Sequence, residues 1–306
     1  MLSTAPIKAS LAPRRLLLVD GDVLAFIAAA AVQGKLTDEA GWVTPIANEG
    51  EGEVAMRNMI YSLQQGLKGE CIAIYISDPK SNWRHSVDPS YKSNRTGDKP
   101  LLLDFLKQYL VKTYGATFWP GLEADDVLGI QMTDPNDHGM ERVMVGRDKD
   151  FASIPGLHHQ IKKDVDAKGK PVTRTVTQWQ ADRFHLIQAL AGDAVDGYPG
   201  CPNVGMVRAA EVIDTPMRLT PTEGVVTRGP NKGNTVVRWI GEPTQDHWVA
   251  IVSQYRKALG LGYAEAEEIA LVQARLARIL RYGEYNRDTE EVTLWTPAHL
   301  HRSTSL

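Results

Sequence analysis

Short apolar runs alternate with longer helical patterns through the first half of the chain. Residues 16–19, 71–77 and 142–146 are apolar runs of strand length. Between them, residues 53–68 and 101–114 carry apolar side chains at the spacing of an amphipathic helix. Alternating strands and helices predict an α/β fold with a mainly parallel central sheet flanked by helices on both faces.

The second half of the chain has a mainly helical pattern. We predict an α/β core over residues 1–176 and a helical region over 177–306 that packs with it as one unit. Inside the helical region, one insert has strand-like sequence around a Pro/Asn/Gly turn and predicts a β-hairpin over residues 224–239. Four helical segments are predicted there: 177–192, 206–213, 244–259 and 263–282.

One segment of the first half differs in character. Residues 80–100 are polar and basic with interleaved aromatic residues, and they lack an apolar stripe. We therefore predict a loop or mobile helical segment outside the core. It contains Trp83, Arg84 and His85, to which the sequence gives no chemical role.

Acidic residues collect where the predicted strands and helices end or begin. Several follow strands and so share the carboxyl edge of one sheet, and three precede an apolar run in "GLEADD". In chain order they are Asp20, Asp78, Glu123, Asp125, Asp126, Asp148, Asp150, Asp193 and Asp196. Each alone has a plain explanation as a turn residue or a helix-capping acid. If the fold brings them together, they cannot all stay ionised without bound cations. Because all their ligand atoms are oxygens, such a site favours Mg²⁺ or Mn²⁺ over zinc.

The composition is compatible with a polyanionic partner. The chain of 306 residues has a net charge of −3, but without those nine acids 28 acidic residues would face 34 basic ones. Two cysteines, Cys71 and Cys201, are too few for a disulfide framework. The apolar segments are too short for a membrane span, and aspartates interrupt the one that follows Arg14-Arg15, so we expect a cytoplasmic protein.

In order along the chain, "LVDGD", "ISD", "YKSNR", "GLEADD", "GRDKD" and "LAGDAVDGYPG" resemble the 5′-nuclease superfamily. This superfamily includes flap endonucleases, phage 5′→3′ exonucleases and the 5′-nuclease domains of bacterial DNA polymerase I. The resemblance extends from about residue 15 to residue 212. It implies a nuclease core with a helical arch over residues 80–115, and a helix-turn-helix element in the helical region.

The resemblance implies two metal groups. The first would contain Asp20, Asp78, Glu123 and Asp125, with Asp126 beside them. The second would contain Asp148, Asp150 and Asp193, supported by Asp196, and Asp125 would bridge the two groups. Two Mg²⁺ or Mn²⁺ ions held in this way would clamp the reacting phosphate and activate water. Asp125 and Asp148 are thus also catalytic residues in this interpretation.

In "YKSNR", Tyr91, Lys92 and Arg95 match residues at the base of the family's arch. Lys92 and Arg95 would neutralise charge on the reacting phosphate, which makes them catalytic as well as DNA-binding. Tyr91 would offer a ring face on which a frayed base stacks. A solvated basic loop is the alternative interpretation of this segment.

The turn "GYPGCPNVGMVRAAEVI" resembles the family's helix-turn-helix element, which grips the duplex backbone. Gly200 and Gly205 would permit close backbone approach to phosphate, and Arg208 would supply a positive charge. Relatives have a glycine where Cys201-Pro202 stand and a lysine where Val207 stands, which leaves open the K⁺ site that the resemblance implies here. The insert at 224–239 either extends the duplex contact or is a solvated hairpin.

These observations predict a metal-dependent 5′→3′ exodeoxyribonuclease, of phage type, with flap or RNase H-like activity in replication, primer removal or DNA degradation. Its partners would be double-stranded DNA with 5′ ends, nicks or flaps, an RNA–DNA hybrid, and a single-strand-binding protein. Two alternatives remain. In a haloacid-dehalogenase-type phosphatase, Asp20 would be a nucleophile, and a non-catalytic DNA-binding module would have kept only the fold.

Overall fold

The computed structural model describes residues 14–297. Its first part alternates strands and helices, as the sequence pattern predicts. The elements in chain order are β1 (Arg15–Asp20), α1 (Gly21–Val32), β2 (Gly34–Thr37), β3 (Val43–Ile46), α2 (Glu49–Leu67), β4 (Cys71–Tyr75), α3 (Arg84–Val87), α4 (Leu103–Tyr114), α5 (Ala124–Thr133), β5 (Glu141–Gly146), a 3₁₀ turn (Asp150–Ser153), β6 (Gly156–Gln160) and β7 (Arg174–Val176).

Five of these strands form the central sheet, in the order β4-β1-β5-β6-β7. The first four are parallel and β7 is antiparallel to β6. Side chains of β1 alternate between two apolar layers: Leu17 and Val19 pack with α1, α2 and α4, whereas Leu18 packs with Leu128 of α5. The expected parallel sheet with helices on both faces is therefore present.

The second part is mainly helical and returns to the sheet at its end. Its elements are α6 (Gln178–Ala191), α7 (Met206–Asp214), β8 (Met217–Val225), β9 (Thr235–Pro243), α8 (His247–Leu259), α9 (Tyr263–Leu276), β10 (Tyr285–Asn286) and β11 (Glu291–Val292). Helices α6 to α9 share one apolar cluster. Beyond α9, Ile279 packs against Leu18 and Leu128, so the end of the described chain joins the core.

The structure differs from the sequence prediction at four places. Helix α9 ends at Leu276 instead of continuing to 282, because the following residues turn into the core. The predicted hairpin at 224–239 is longer and spans β8 and β9. The short antiparallel pairs β2–β3 and β10–β11 were not predicted. Residues 1–13 of the predicted core and residues 298–306 of the predicted helical region lie outside the described residues.

The segment 80–100 corrects a further prediction, because much of it is inside the core. It contains the short helix α3, and the side chains of Trp83, Arg84 and Tyr91 are almost fully buried. The sequence did not indicate this burial, because the segment is mostly polar and has no apolar stripe. In the part of the chain that the structure describes, no helix is long and apolar enough to cross a membrane. The apolar stretch after Arg14-Arg15 instead forms β1 and α1.

Candidate active site

The sheet topology gathers acidic residues at one edge. Parallel pairing of β1 with β4 and β5 brings their carboxyl ends together, so Asp20 at the end of β1 lies near Asp148, two residues beyond β5. Helix α5 begins beside them, with Glu123 at its N-cap and Asp125 and Asp126 in its first turn. The acids form two groups, which differ in their partners.

The first group is Glu123, Asp125 and Asp126. One carboxylate oxygen from each lies within 4.8 Å of the others, which is the spacing of a metal site. The Glu123 side chain makes no capping hydrogen bond to the helix. It instead contacts Arg84, at 3.1 Å, and Lys92. Burial opposes ionisation of Glu123, but these two cations lower its pKa to about 2.

Asp126 is wholly buried, and four N–H donors saturate its carboxylate. The Arg84 guanidinium donates to both oxygens, at 2.7 and 2.9 Å. Trp83 Nε1 donates at 2.9 Å and the Leu280 backbone N–H at 3.1 Å. Arg84 also donates to the carbonyl oxygens of Leu276 and Arg278. Asp126 is thus held in a structural ion pair, and Arg84 is a residue that sequence reasoning missed.

Asp125, next in sequence to Asp126, has a different environment. Its carboxylate accepts one hydrogen bond in the described structure, from the Asp126 backbone N–H, at 2.8 Å. Burial, together with the neighbouring charges of Asp126 and Glu123, raises the pKa of Asp125 well above its ordinary value. A cation at this carboxylate would relieve that repulsion.

The second group contains Asp148, Asp150, Asp193 and Asp196. Asp148 is exposed, and Asp193 lies 2.9 Å from the Lys149 ammonium. Asp150 accepts a hydrogen bond from Gln188 at 2.7 Å. Burial, followed by repulsion from Asp148 and Asp193, raises the pKa of Asp150 to about 7.

Asp20, predicted as a member of the first group, lies close to Asp148 of the second group. It is buried at the end of β1 and caps α1 by accepting the Val23 N–H at 3.0 Å. Burial raises the pKa of Asp20 to about 7, and repulsion from Asp22 and Asp148 adds to the effect. Asp22, absent from the predicted set, accepts the Ser77 N–H and contacts Lys107 at 2.8 Å.

Asp78, a predicted metal ligand, uses both carboxylate oxygens in hydrogen bonds to the surrounding loops. One oxygen accepts the Lys80 N–H, and the other accepts from Ser81 Oγ and the Gly121 N–H, all within 2.9 Å. These bonds fasten the loop after β4 to the loop before α5. Its metal role stays a prediction.

Tyr91 and Lys92 connect the two groups. The Tyr91 hydroxyl lies 3.1 Å from both Glu123 and Asp196, and it donates to one of them at a time. Lys92 contacts Glu123 and lies 3.7 Å from Asp196, which also pairs with Arg95. The predicted stacking role of Tyr91 is corrected by its burial: its side chain is 4% exposed, so no ring face is open to a base.

An open cleft of about 810 Å³ lies beside the second group. Five acids line it: Asp22, Asp148, Asp150, Asp193 and Asp196. Five cations line it as well: Arg95, Lys99, Lys107, Arg147 and Lys149. Phe26 of α1 adds an aromatic ring that is about half exposed. The sequence analysis did not single out Phe26, and the one indication of its place at the site is that it follows Asp20 by six positions.

The predicted helix-turn-helix glycines differ in their surroundings. Gly200 is buried with φ +67°, and a Cβ there would lie 2.3 Å from the Gly192 backbone nitrogen. Its N–H donates to Gln273, so its close approach is to this chain itself, which corrects the predicted approach to phosphate. Gly205 precedes α7 and is exposed. Arg208 is exposed and pairs with Glu211 at 2.8 Å.

Comparison with known proteins agrees with this geometry. Residues 15–179 match the family described as 5′-3′ exonuclease, N-terminal resolvase-like domain. The chain belongs to the 5′-3′ exonuclease family. An exodeoxyribonuclease of Enterobacteria phage T3 is 32% identical over 92% of this chain and 93% of that relative. An exonuclease of Escherichia phage T7 is 31% identical over the same shares.

The solved structures agree on the fold of this 5′-3′ exonuclease. A T5 5′-exonuclease structure with bound zinc ions matches 86% of this chain and 89% of that one, with a TM-score of 0.54 and 15% identity. The two phage relatives identify the protein as a phage-type 5′-3′ exonuclease. Membership of this family overturns the phosphatase alternative, and the similarity to two phage exonucleases over 92% of the chain overturns the non-catalytic module. Asp20, the nucleophile of the phosphatase alternative, is buried at the cap of α1.

Proposed function

We propose that this 5′-3′ exonuclease hydrolyses the phosphodiester bonds of duplex DNA from 5′ ends, with two divalent cations bound at its acidic groups. The observation that carries the proposal is the cleft in which five carboxylates and five cationic side chains face one another. Carboxylates suit hard divalent ions, and lysine and arginine suit phosphate oxygens. A site for a phosphodiester needs both.

The donor set fits Mg²⁺ or Mn²⁺. In the first group, Glu123 and Asp125 would hold an ion, and Asp126 would support them from behind because its oxygens are taken by Arg84 and Trp83. In the second group, Asp148, Asp150 and Asp193 would hold the other, with Asp20 and Asp196 beside them. The raised pKa values of Asp20 and Asp150, caused first by burial and then by neighbouring acids, mark crowded charge that a cation relieves.

Divalent ions in such a site supply a nucleophile from water and stabilise the negative charge that develops on the phosphate. The chain's own residues would do the rest. Lys92 and Arg95, now paired with Glu123 and Asp196, can donate to phosphate oxygens when cations take over those carboxylates. Phe26 presents a half-exposed ring at the same cleft, on which a terminal base can stack.

The finer specificity is also part of the proposal. We infer that nicked and flapped duplexes and RNA–DNA hybrids are cleaved, as the family resemblance implies, and that a single-strand-binding protein cooperates with the enzyme. Both cysteines are free, in keeping with action in a host cytoplasm. A K⁺ ion at the turn before α7 stays an open prediction.

Duplexes labelled at either end test the proposal. With Mg²⁺ or Mn²⁺, the 5′ label should be released first, and excess EDTA should stop the reaction. Nicked, flapped and hybrid substrates in the same assay rank the preferences. Cleavage that persists in EDTA, or that begins at 3′ ends, contradicts the proposal.

A further inference from the structure

The hairpin of β8 and β9 carries an unbalanced positive charge. The outer part of the hairpin, residues 222–239, contains Arg228, Lys232 and Arg238 against a single acid, Glu223, although the whole chain has a net charge of −3. All three side chains belong to exposed residues. None of the three forms an ion pair with any residue between 14 and 297, so their charge is available to a partner.

Only the base of this hairpin is fastened to the protein. There, Ser253 of α8 donates to the Met217 carbonyl, and the Arg256 guanidinium lies 5.8 Å from the ring of Trp239. From Trp239 towards the tip, the hydrogen bonds of the described residues join one part of the hairpin to another, as between Val226 and Asn234. The outer half therefore projects from the core as a two-stranded ribbon.

The shape of the ribbon and its exposed cations suit a nucleic-acid backbone. Each strand has nine residues, which gives a length of roughly 30 Å. A two-stranded ribbon is narrow enough for the major groove of a duplex. Arg228 and Lys232 at its tip, and Arg238 further back on β9, would meet the phosphates that border the groove, without reading the sequence. The β-branched side chains of Val225, Val237 and Ile240 are more than half exposed beside them.

We propose that the outer half of the β8–β9 hairpin is a second duplex-DNA grip, which binds backbone phosphates through Arg228, Lys232 and Arg238. The inference rests on the proposed function, because it assumes a duplex substrate. The grip would keep the enzyme on the duplex between successive cleavages. Its loss should shorten each run of degradation while leaving cleavage of an already bound end unchanged.

The test compares two triple variants of the full chain. The hairpin variant is R228A/K232A/R238A. The matched control, R57A/K112A/K163A, removes three exposed cations from α2, α4 and the turn after β6. Binding of a blunt duplex, and of one of its strands alone, is measured by fluorescence anisotropy in EDTA, from 50 to 300 mM salt. Single-turnover cleavage and run length are then measured with Mg²⁺.

The hairpin variant should bind roughly 10- to 100-fold more weakly near 150 mM salt, with a salt slope reduced by about 2 to 3, since each lost phosphate contact removes about 0.9. Its single-turnover rate at saturating enzyme should change less than twofold. The charge-preserving variant R228K/K232R/R238K should bind like the parent, and circular dichroism melts of all variants check folding.

Several results overturn the inference. A parental salt slope in the hairpin variant means that the ribbon does not touch phosphate. An equal loss in the control means that only total charge matters. Weaker binding of single strands with unchanged duplex binding means a different partner. Because binding is measured without cleavage, a parent that binds duplex but fails to degrade it from 5′ ends contradicts the proposed function and not the grip.

Discussion

The two carboxylate groups differ in how their negative charge is balanced. In the first group, the buried Arg84 and the partly buried Lys92 contact Glu123, and Arg84 also saturates Asp126. In the second group, the shortest ion pairs are with the exposed side chains of Lys149 and Arg95, at the rim of an open cleft, and Lys92 lies farther away, at 3.7 Å from Asp196. Charge in the first group is part of the fold, whereas charge in the second is left accessible to ligands.

The same difference separates two adjacent residues of the first group, Asp125 and Asp126. Asp126 has four donors, and Asp125 has one, from the backbone. Neighbouring acids of one motif can therefore have different roles. The number of hydrogen-bond donors around each carboxylate distinguishes the structural acid Asp126 from the candidate metal ligand Asp125. Four predictions test this division, beginning with the largest effect.

The exposed acid Asp148 belongs to the accessible group, and we expect Asp148→Ala to abolish cleavage while duplex binding and melting temperature stay near those of the parent. A ligand is lost, but no buried pair is broken. Single-turnover cleavage in Mg²⁺, anisotropy and thermal melts measure the three quantities. Cleavage within tenfold of the parent would show that Asp148 holds no required ion.

Arg84 belongs to the balanced group, and we expect Arg84→Ala to lower the free energy of unfolding by about 3–5 kcal/mol, because it leaves Asp126 buried and unpaired. Denaturant unfolding measures the loss. Arg84→Lys should recover only part of it, since an ammonium cannot donate to both Asp126 oxygens in the same fork. The control Arg95→Ala removes a half-exposed partner and should cost less than about 1 kcal/mol. Equal losses in both variants would contradict the division.

Asp125 should be destabilising without cations and useful with them. We expect Asp125→Asn to melt at a higher temperature than the parent in EDTA near pH 7, because the substitution removes a charge that burial and its neighbours disfavour. In saturating Mg²⁺ the difference should shrink or reverse, since the parent gains stability from the bound ion. A helix-capping acid would instead lose stability on substitution in both buffers.

The pH dependence of stability should have opposite signs at Asp150 of the second group and Glu123 of the first. The folded pKa of Asp150 is raised to about 7, by burial first, so ionisation removes stability as pH rises from about 4 to 7. The folded pKa of Glu123 is lowered to about 2, chiefly by Arg84 and Lys92 acting against burial. Its contribution is therefore present above about pH 4.5 and lost on acidification towards 2.

Melts in EDTA at several pH values check this prediction. Asp150→Asn should gain melting temperature at pH 7 and lose that gain near pH 4. Glu123→Gln should be less stable than the parent at pH 7, with a gap that closes as the pH falls below 4. Parallel curves for the two variants would contradict the proposed difference.

The sequence predicted the framework of this protein because the framework depends on local patterns. The apolar runs that became β1, β4 and β5 are continuous, and parallel pairing of such strands places the acids that follow them at one edge. The family resemblance, carried by the same acidic motifs, was confirmed. The predicted site residues themselves stay predictions, apart from the corrections at Tyr91 and Gly200.

The remainder depends on contacts between distant residues. Arg84 and Asp126 are 42 positions apart, and no spacing rule joins them. Tyr91 is buried because it packs against Tyr198, Leu276 and Ala277, which lie more than 100 positions later in the chain. The β2–β3 pair escaped notice because its strands are short and mostly exposed, which leaves no apolar period to read.

The hydrogen bond from Leu280 to Asp126 has a consequence for the order of assembly. A ribosome makes Asp126 some 154 residues before it makes Leu280, and the carbonyls of Leu276 and Arg278 that fix Arg84 are equally late. A nascent chain that ends before residue 276 therefore contains the whole acidic motif but lacks the segment that locks its supporting ion pair. The ion pair behind the acidic motif is therefore completed only after synthesis has passed residue 280, so a chain interrupted earlier carries the acids without the contacts that hold Asp126 and Arg84 in place.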